Sequence, residues 1–334
     1  MLDGIIYIDE NSGVPKYRQI INSILEAIEN KELKKGDKIP SINQICNEFE
    51  LSRDTVMVAF NELKAKGILV SIPGKGYYIE SVKTDIQQKV FVLFDELNVF
   101  KEDLYNSFLQ HLDPRTNVDI YFHHFNFKVF KSLIQDSVGK YTQYVIMPAT
   151  FDDTASIISQ VPEDKVFILD RYKNDLRQYP MLYQDFARDV YEALLEGVDL
   201  LRKYEKLVMV FPGGKEPAER VKGFQKFCTE KGFQYEIIKT IADRELMPGE
   251  VYFVPTDRNL VKLLKGAEAK DLQLGENFGV VSFNDTVLKE VVSGGITTIS
   301  TDFIEMGKQL ASLINSKKPG KITNPCRLIR RKSL

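Results

Sequence analysis

Hydrophobic residues in the first eighty positions recur at helical spacing in three short bursts. In "PKYRQIINSILEAIENKEL" they fall at Tyr17, Ile20, Ile21, Ile24, Leu25 and Ile28, with Pro15 placed for a helix entry. After the turn "KKGDKIPS", Ser41 suits an N-cap, and a second helix carries Ile42, Ile45, Cys46 and Phe49 on one face. Ser52 caps a third, which buries Val56, Ala59, Phe60 and Leu63 and stops at Gly67. "ILVSIPGKGYYIE" then reads as two β runs around Pro73-Gly74-Lys75-Gly76, where glycine permits a positive φ. Two short helices joined by a turn, with a hairpin behind them, predict an α+β winged helix-turn-helix over residues 1–80.

"ESVKTDIQQ" is polar and lacks an apolar period, which predicts a linker over 81–88. Beyond it the pattern changes to near-continuous apolar runs: "KVFVLF" (89–94), "VDIYFHHF" (118–125), "YVIMP" (144–148), "KVFILD" (165–170), "LVMVF" (207–211), "YEIIKT" (235–240), "VYFVP" (251–255) and "FGVVSF" (278–283). Helical stretches such as "DFARDVYEALLEGVDLLRKY" and "EPAERVKGFQKFCTEKG" lie between most of them. Strands alternating with helices predict parallel sheets covered on both faces, here an α/β region of two doubly wound lobes over 89–334.

At 334 residues, 43% hydrophobic and 28% charged, the chain has ample material for such cores, and its composition gives no sign of disorder. Cys46, Cys228 and Cys326 are odd in number and show no C-x-x-C spacing, which predicts neither disulfides nor a metal site and fits a reducing cytoplasm. The N-terminus lacks the form of a secretory signal, and no apolar run is long enough to span a membrane. The formal charge of −2 excludes a uniformly basic coat but leaves room for a local patch.

Candidate chemistry concentrates in two places. The third helix leaves Arg53, Asp54, Met57 and Asn61 off its apolar face, near the end that enters the major groove in this motif. Arg53 has the reach for guanine or phosphate, Met57 for a thymine methyl, and Thr55 for a phosphate oxygen. Residues 1–80 hold ten Lys and Arg against twelve Asp and Glu. Electrostatic grip must therefore come from Lys34, Lys35, Arg53, Lys64 and Lys75 and be steeply salt-dependent.

The second place is the carboxyl ends of the predicted strands, where ligands of open α/β sheets bind. There stand Asp95 and Asn98 with Phe100, Thr150 and Phe151, Asp170 with Arg171, Pro212 to Lys215, Thr256 with Asp257, and Asn284 with Asp285. Planar hydrogen-bonding groups beside aromatic faces suit a polyhydroxyl ligand. Taken singly, the same Asp and Asn residues also read as turn and cap residues.

Catalytic signals are missing from the pattern. "FPGGKEPAER" lacks phosphate-loop spacing, His111, His123 and His124 have no metal or base context, and no G-x-S-x-G elbow occurs.

The stretch "PKYRQIINSILEAIENKELKKGDKIPS…LSRDTVMVAFNELKAKGILVSIPGKGYYI" closely resembles the winged-helix DNA-binding domain of GntR-family transcriptional regulators. The resemblance implies operator contacts by Ser52, Arg53, Thr55 and the Gly74-Lys75-Gly76 tip; Ser41 and Met57 complete the candidate set. It departs from the family at Ile42-Asn43, where Glu-Arg is usual, and at Met57, a frequent arginine position. Residues 89–331 look like the LacI-type effector domain, which is similar to periplasmic sugar-binding proteins, on "FILDR", "PAERVKGFQKFCTEKG", "FVPTD", "GVVSFNDT" and "ITTISTDFIEMGKQL". That likeness implies sugar contacts by Asp170, Arg220 and Asn284, with Thr256 or Asp257; Asp95 and Phe100 join them from the strand-end reading. Asn284 stands where the family often has aspartate.

The pairing of the two parts resembles arabinose-responsive repressors and implies an arabinose- or fucose-like sugar. The expectation is a cytoplasmic homodimeric repressor that binds double-stranded operator DNA and a small sugar, with no cofactor and no enzymatic activity. A transport-type sugar-binding protein and an α/β sugar-modifying enzyme remain as alternatives.

Overall fold

The computed structural model of the chain describes residues 4–10, 12–84, 88–242, 244–316 and 320–334. It opens with α1 (Lys16–Glu29), α2 (Ile42–Glu48) and α3 (Arg53–Ala65), then a hairpin of β1 (Leu69–Ile72) and β2 (Gly76–Ile79). Ile20, Ile24, Ile45, Val56, Phe60 and Leu63 are buried in one core, and Phe60 meets the ring of Tyr77 edge-on at 4.7 Å. β1 and β2 pair antiparallel from Leu69 opposite Ile79 to Ile72 opposite Gly76. Gly74 and Gly76, at φ of 72° and 110°, make the reversal possible. Of the expected linker, residues 85–87 lie outside the described residues.

The next elements are β3 (Gln88–Phe94), α4 (Val99–His111), β4 (Thr116–Phe122), α5 (Phe127–Ser137), β5 (Gln143–Ile146) and α6 (Thr154–Ile158). β6 (Val166–Arg171), β7 (Met181–Gln184), α7 (Phe186–Glu196), α8 (Val198–Leu201), β8 (Lys206–Val210), α9 (Glu219–Lys231) and β9 (Gln234–Ile238) follow. The chain ends with β10 (Glu250–Val254), α10 (Asp257–Glu268), β11 (Phe278–Phe283), α11 (Val287–Val291), β12 (Thr297–Thr301), α12 (Phe303–Ser316), β13 (Lys321–Thr323) and β14 (Cys326–Ile329).

Two compact units divide the chain: Met1–Asp95, Leu112–Met147 and Phe151–Phe167 in the first, Glu96–His111, Pro148–Thr150 and Ile168–Leu334 in the second. In the first, β3 runs parallel to both β4 and β5. In the second, β7 runs parallel to both β6 and β13. A further sheet there has the order β14-β12-β11-β10-β8-β9, parallel except for β14. These are the parallel sheets that the alternation predicts.

The differences have local causes. The strand expected over 118–125 ends at Phe122, because His124 and Phe125 take left-handed backbone at φ of 46° and 56°. The helix expected over 185–204 breaks at Gly197, where a Cβ would sit 2.5 Å from Leu328 Cδ2. β7, β12, β13 and β14 have no predicted counterpart. β12 reads Thr-Thr-Ile-Ser-Thr, yet it is buried throughout, so apolar content alone does not mark it.

Close packing sets the geometry of the second unit. A Cβ at Gly223 would stand 2.1 Å from the Ala187 carbonyl oxygen. Glycine there lets α9 press onto the backbone of α7, which brings Arg220, one turn earlier, toward Phe186 and Asp189.

Candidate functional sites

The candidate DNA-reading residues sit at the starts of α2 and α3 and at the hairpin tip. Ser41 and Gln44 form a reciprocal cap on α2: the Ser41 N–H donates to Gln44 Oε1 at 2.8 Å, and the Gln44 N–H donates to Ser41 Oγ at 3.3 Å. Ser52 Oγ accepts from the Thr55 N–H at 3.2 Å and lies 2.8 Å from Thr55 Oγ1. Arg53 is exposed, and its Nη1 donates to Asn43 Oδ1 at 2.7 Å. The residue that departs from the family pattern thus holds the arginine of α3 in place. Met57 is half-buried and packs against the core, which differs from the open position the helical period suggests.

At the tip, Lys75 is exposed. Its N–H donates to the Ile72 carbonyl at 3.0 Å, which closes the turn. Lys38 is the cation the sequence reading overlooked. It is exposed, and its Cε lies 3.3 Å from where a Gly76 Cβ would be, so a second charge flanks the tip. Its bridge to Tyr78, a non-local pairing, is what carries it there. Lys35, by contrast, is paired with Glu80 at 3.3 Å.

In the second unit, Arg220 and Asn284 line one cavity together with Gln184, Phe186, Asp189 and Thr301. The Arg220 guanidinium stacks over the rings of Phe283 and Phe186, at 4.5 and 5.4 Å, and its Nη1 donates to Glu216 Oε2 at 3.1 Å. Burial pushes the Arg220 guanidinium below the ordinary arginine range, and burial likewise raises the Glu216 carboxyl. Asp170, at the end of β6, is joined to the cavity wall through Gln184. Thr301 Oγ1 donates to Gln184 Oε1, and Gln184 Nε2 donates to Asp170 Oδ1 at 2.7 Å. Asp170 and Asn284 both take left-handed backbone, at φ of 77° and 58°. Backbone of that kind costs about 1–3 kcal/mol and gathers at ligand clamps.

The cavity has about 10 Å³ of accessible volume, room for about one water molecule. A neighbouring cavity of about 260 Å³ shares Gln184 and Phe186 with it and adds Arg171, Tyr172 and Tyr183.

Other strand-end candidates are engaged elsewhere. Thr256 caps α10, accepting from the Asn259 N–H at 3.2 Å. Asp257 is exposed and pairs with Lys289 at 3.1 Å. Lys289 is buried and also donates to the carbonyls of Phe283 and Asn284, at 2.9 and 2.7 Å, so it fixes the turn that presents Asn284. Phe100 stacks on Phe303 at 4.9 Å, packing α4 against α12, and is not among the residues lining either cavity. Asp95 is buried at the end of β3 in the first unit. Asp285 is clamped by both Arg331 nitrogens at 2.6 and 2.7 Å; burial works to raise its pKa, and Arg331 holds it low. Lys215 binds both Glu96 oxygens, at 2.7 and 2.8 Å. Gln184, Asp189 and Thr301 escaped the sequence reading because none follows a predicted strand.

Among the described residues, no group of three or more His, Cys, Asp and Glu is placed to hold a metal ion, and no helix is long and apolar enough to cross a membrane.

Comparisons with known proteins agree with both halves. Residues 16–79 match the model of bacterial regulatory proteins of the gntR family, and residues 201–334 match a periplasmic binding protein-like domain. The HTH-type transcriptional repressor YtrA of Bacillus subtilis is 33% identical over 93 residues, 28% of this chain and 72% of that protein. The arabinose metabolism transcriptional repressor of Geobacillus stearothermophilus is 40% identical over 70 residues, 21% of this chain but only 19% of that one. The crystal structure of the lac repressor dimer bound to operator and the anti-inducer ONPF superposes with a TM-score of 0.61 at 16% identity, covering 73% of this chain and 93% of that one. At that identity the likeness is one of fold. With a winged helix-turn-helix built on the expected core, and a repressor matched over most of its length, this chain belongs to the gntR family of bacterial regulatory proteins.

Proposed function

We propose that this DNA-binding regulator is a cytoplasmic repressor, acting as a homodimer, whose operator affinity is set by a small sugar. Residues 1–80 read the operator, 81–88 link, and 89–334 bind the effector and dimerise. Ser52, Arg53 and Thr55, with the Gly74-Lys75-Gly76 tip, contact double-stranded DNA. Arg220 and Asn284, with Asp170 behind Gln184, hold the sugar once their cavity, which here has room for about one water, widens toward the neighbouring cavity of about 260 Å³ that shares Gln184 and Phe186. The observation that carries the effector half is the convergence of Arg220 and Asn284 on one cavity, in contact with the aromatic faces of Phe186 and Phe283. Guanidinium and amide groups bind adjacent hydroxyls in pairs, and rings take the apolar face of a sugar. One carboxylate, Asp189, and one guanidinium, Arg220, line the cavity, a balance that favours a neutral polyol over a phosphorylated one.

The name of the Geobacillus relative supports repression and makes an arabinose- or fucose-like sugar the first to test. The sugar acts by binding one conformation better than another; only that differential shifts operator affinity, typically by about 1–3 kcal/mol. A changed spacing of the two winged helices takes them off half-sites that face one side of the duplex. The reading requires no cofactor and no catalysis.

Gel shifts on promoter fragments of the source genome, with and without a panel of pentoses and hexoses, test it. The expected result is a retained fragment that one sugar releases. Failure to retain any fragment, even at low ionic strength, overturns it.

A further inference from the structure

Asp189 lies in the first turn of α7 and lines the same cavity as Arg220 and Asn284. Its Oδ2 is buried and accepts no hydrogen bond from any described residue. On the same wall Gln184 is bonded to Asp170 and Thr301, and Arg220 turns its Nη1 to Glu216. A carboxylate oxygen that no protein donor reaches is costly to enclose; leucine at this position removes the polar atom, and asparagine removes its charge. A group that is unfavourable for folding and sits on a ligand wall is explained by the ligand.

We propose that Asp189 is a further effector-contacting residue, whose enclosed, unbonded oxygen accepts a hydrogen bond from a hydroxyl of the sugar held by Arg220 and Asn284. The proposal rests on the sugar reading above.

The surroundings of Asp189 add a pH dependence. Asp185, Arg188 and Glu192 act on it from the start of its own helix, Arg220 from α9, and the Cys326 thiol from β14. Burial first, and the Asp185 charge next, push its carboxyl up to about 7. The ionised form is the acceptor, so sugar affinity rises with pH through neutrality, and binding expels a proton.

The test uses the full chain as wild type, Asp189→Asn and Asp189→Leu. Thermal shifts are recorded at pH 6 and pH 8 with L-arabinose, D-fucose and further pentoses and hexoses. Without sugar, both variants should melt above wild type at pH 8. With the sugar that stabilises wild type, Asp189→Leu should bind about tenfold or more weakly at pH 8, Asp189→Asn less so, and only wild type should gain affinity from pH 6 to pH 8. A sugar that binds all three alike, with one pH profile, overturns the role of Asp189 and leaves the sugar reading standing. If no sugar in the panel shifts wild type, the sugar reading itself falls and Asp189 falls with it.

Discussion

Arg53 and Arg220 show how differently the two ends of this regulator hold a cation. Arg53 is exposed and tethered to a neutral partner, Asn43, while Arg220 is enclosed by two rings and paired with a carboxylate. The first keeps its hydration until DNA arrives, so its contribution is screened by salt and separable from stability. The second has already lost most of its water, and the folded state needs what surrounds it. Substitutions in the cavity should therefore disturb folding and function together, and substitutions on α3 should disturb function alone.

Arg220→Ala should have the largest effect. It strands Glu216, and removing one partner of a buried pair costs about 3–5 kcal/mol. Urea melts should show that loss, sugar should no longer raise the melting point, and operator retention should survive at low temperature. A variant that melts like wild type and still responds to sugar would place the pocket elsewhere.

Next comes the pH dependence of stability. The Asp189 carboxyl lies at about 7 in the folded chain against an ordinary 3.8. The folded state thus holds its proton longer than the unfolded state does. The stability is complete below about pH 4 and drains away as pH rises through 7. Asp189→Asn removes that loss. Its advantage over wild type should be small at pH 4 and reach a few kcal/mol, in order of magnitude, at pH 8. Paired urea titrations at the two pH values check the sign.

The same contrast explains what could be read from the chain. Ser41, Ser52, Gly67 and Gly74 to Gly76 act through bonds to near neighbours in sequence, so caps and turns disclose the winged helix directly. Met57 is half-buried where the period suggests an open position, because a helical period leaves positions at the edge of the apolar stripe undecided. In the cavity of the second unit the partners are remote: Gln184 meets Asp170 across 14 positions and Thr301 across 117. Strand-end logic singled out Asp170 and Asn284. It also named Thr256, Asp257 and Phe100, which here cap a helix, pair with a lysine and pack two helices. Asp189 sits on an ordinary-looking helix face, and only the close approach of α9 at Gly223 turns that face into a cavity wall.

On the DNA-reading side, Arg53→Ala should cost about 1–3 kcal/mol of operator affinity. Its stability should stay within about 0.5 kcal/mol of wild type, since only an exposed hydrogen bond to Asn43 is lost. Sugar affinity should not change. Gel shifts and urea melts on the one variant measure both sides of the comparison.

Lys75→Ala should have the smallest effect and the most specific one. The tip backbone is fixed without the side chain: the Lys75 N–H binds the Ile72 carbonyl, and Tyr78 Oη donates to the Lys75 carbonyl at 3.4 Å. Truncation should therefore leave the wing in place and remove one phosphate contact. Operator affinity measured across salt should show a log–log slope shallower by about 1, uniformly over operator sequences. Lys38, beside Gly76, remains to keep the tip cationic, so affinity at a single salt concentration should fall only modestly. An unchanged slope would mean that the wing stands clear of the phosphates, leaving α3 to carry the grip alone. A loss confined to particular base pairs would instead make the wing a reader of sequence, like α3 itself.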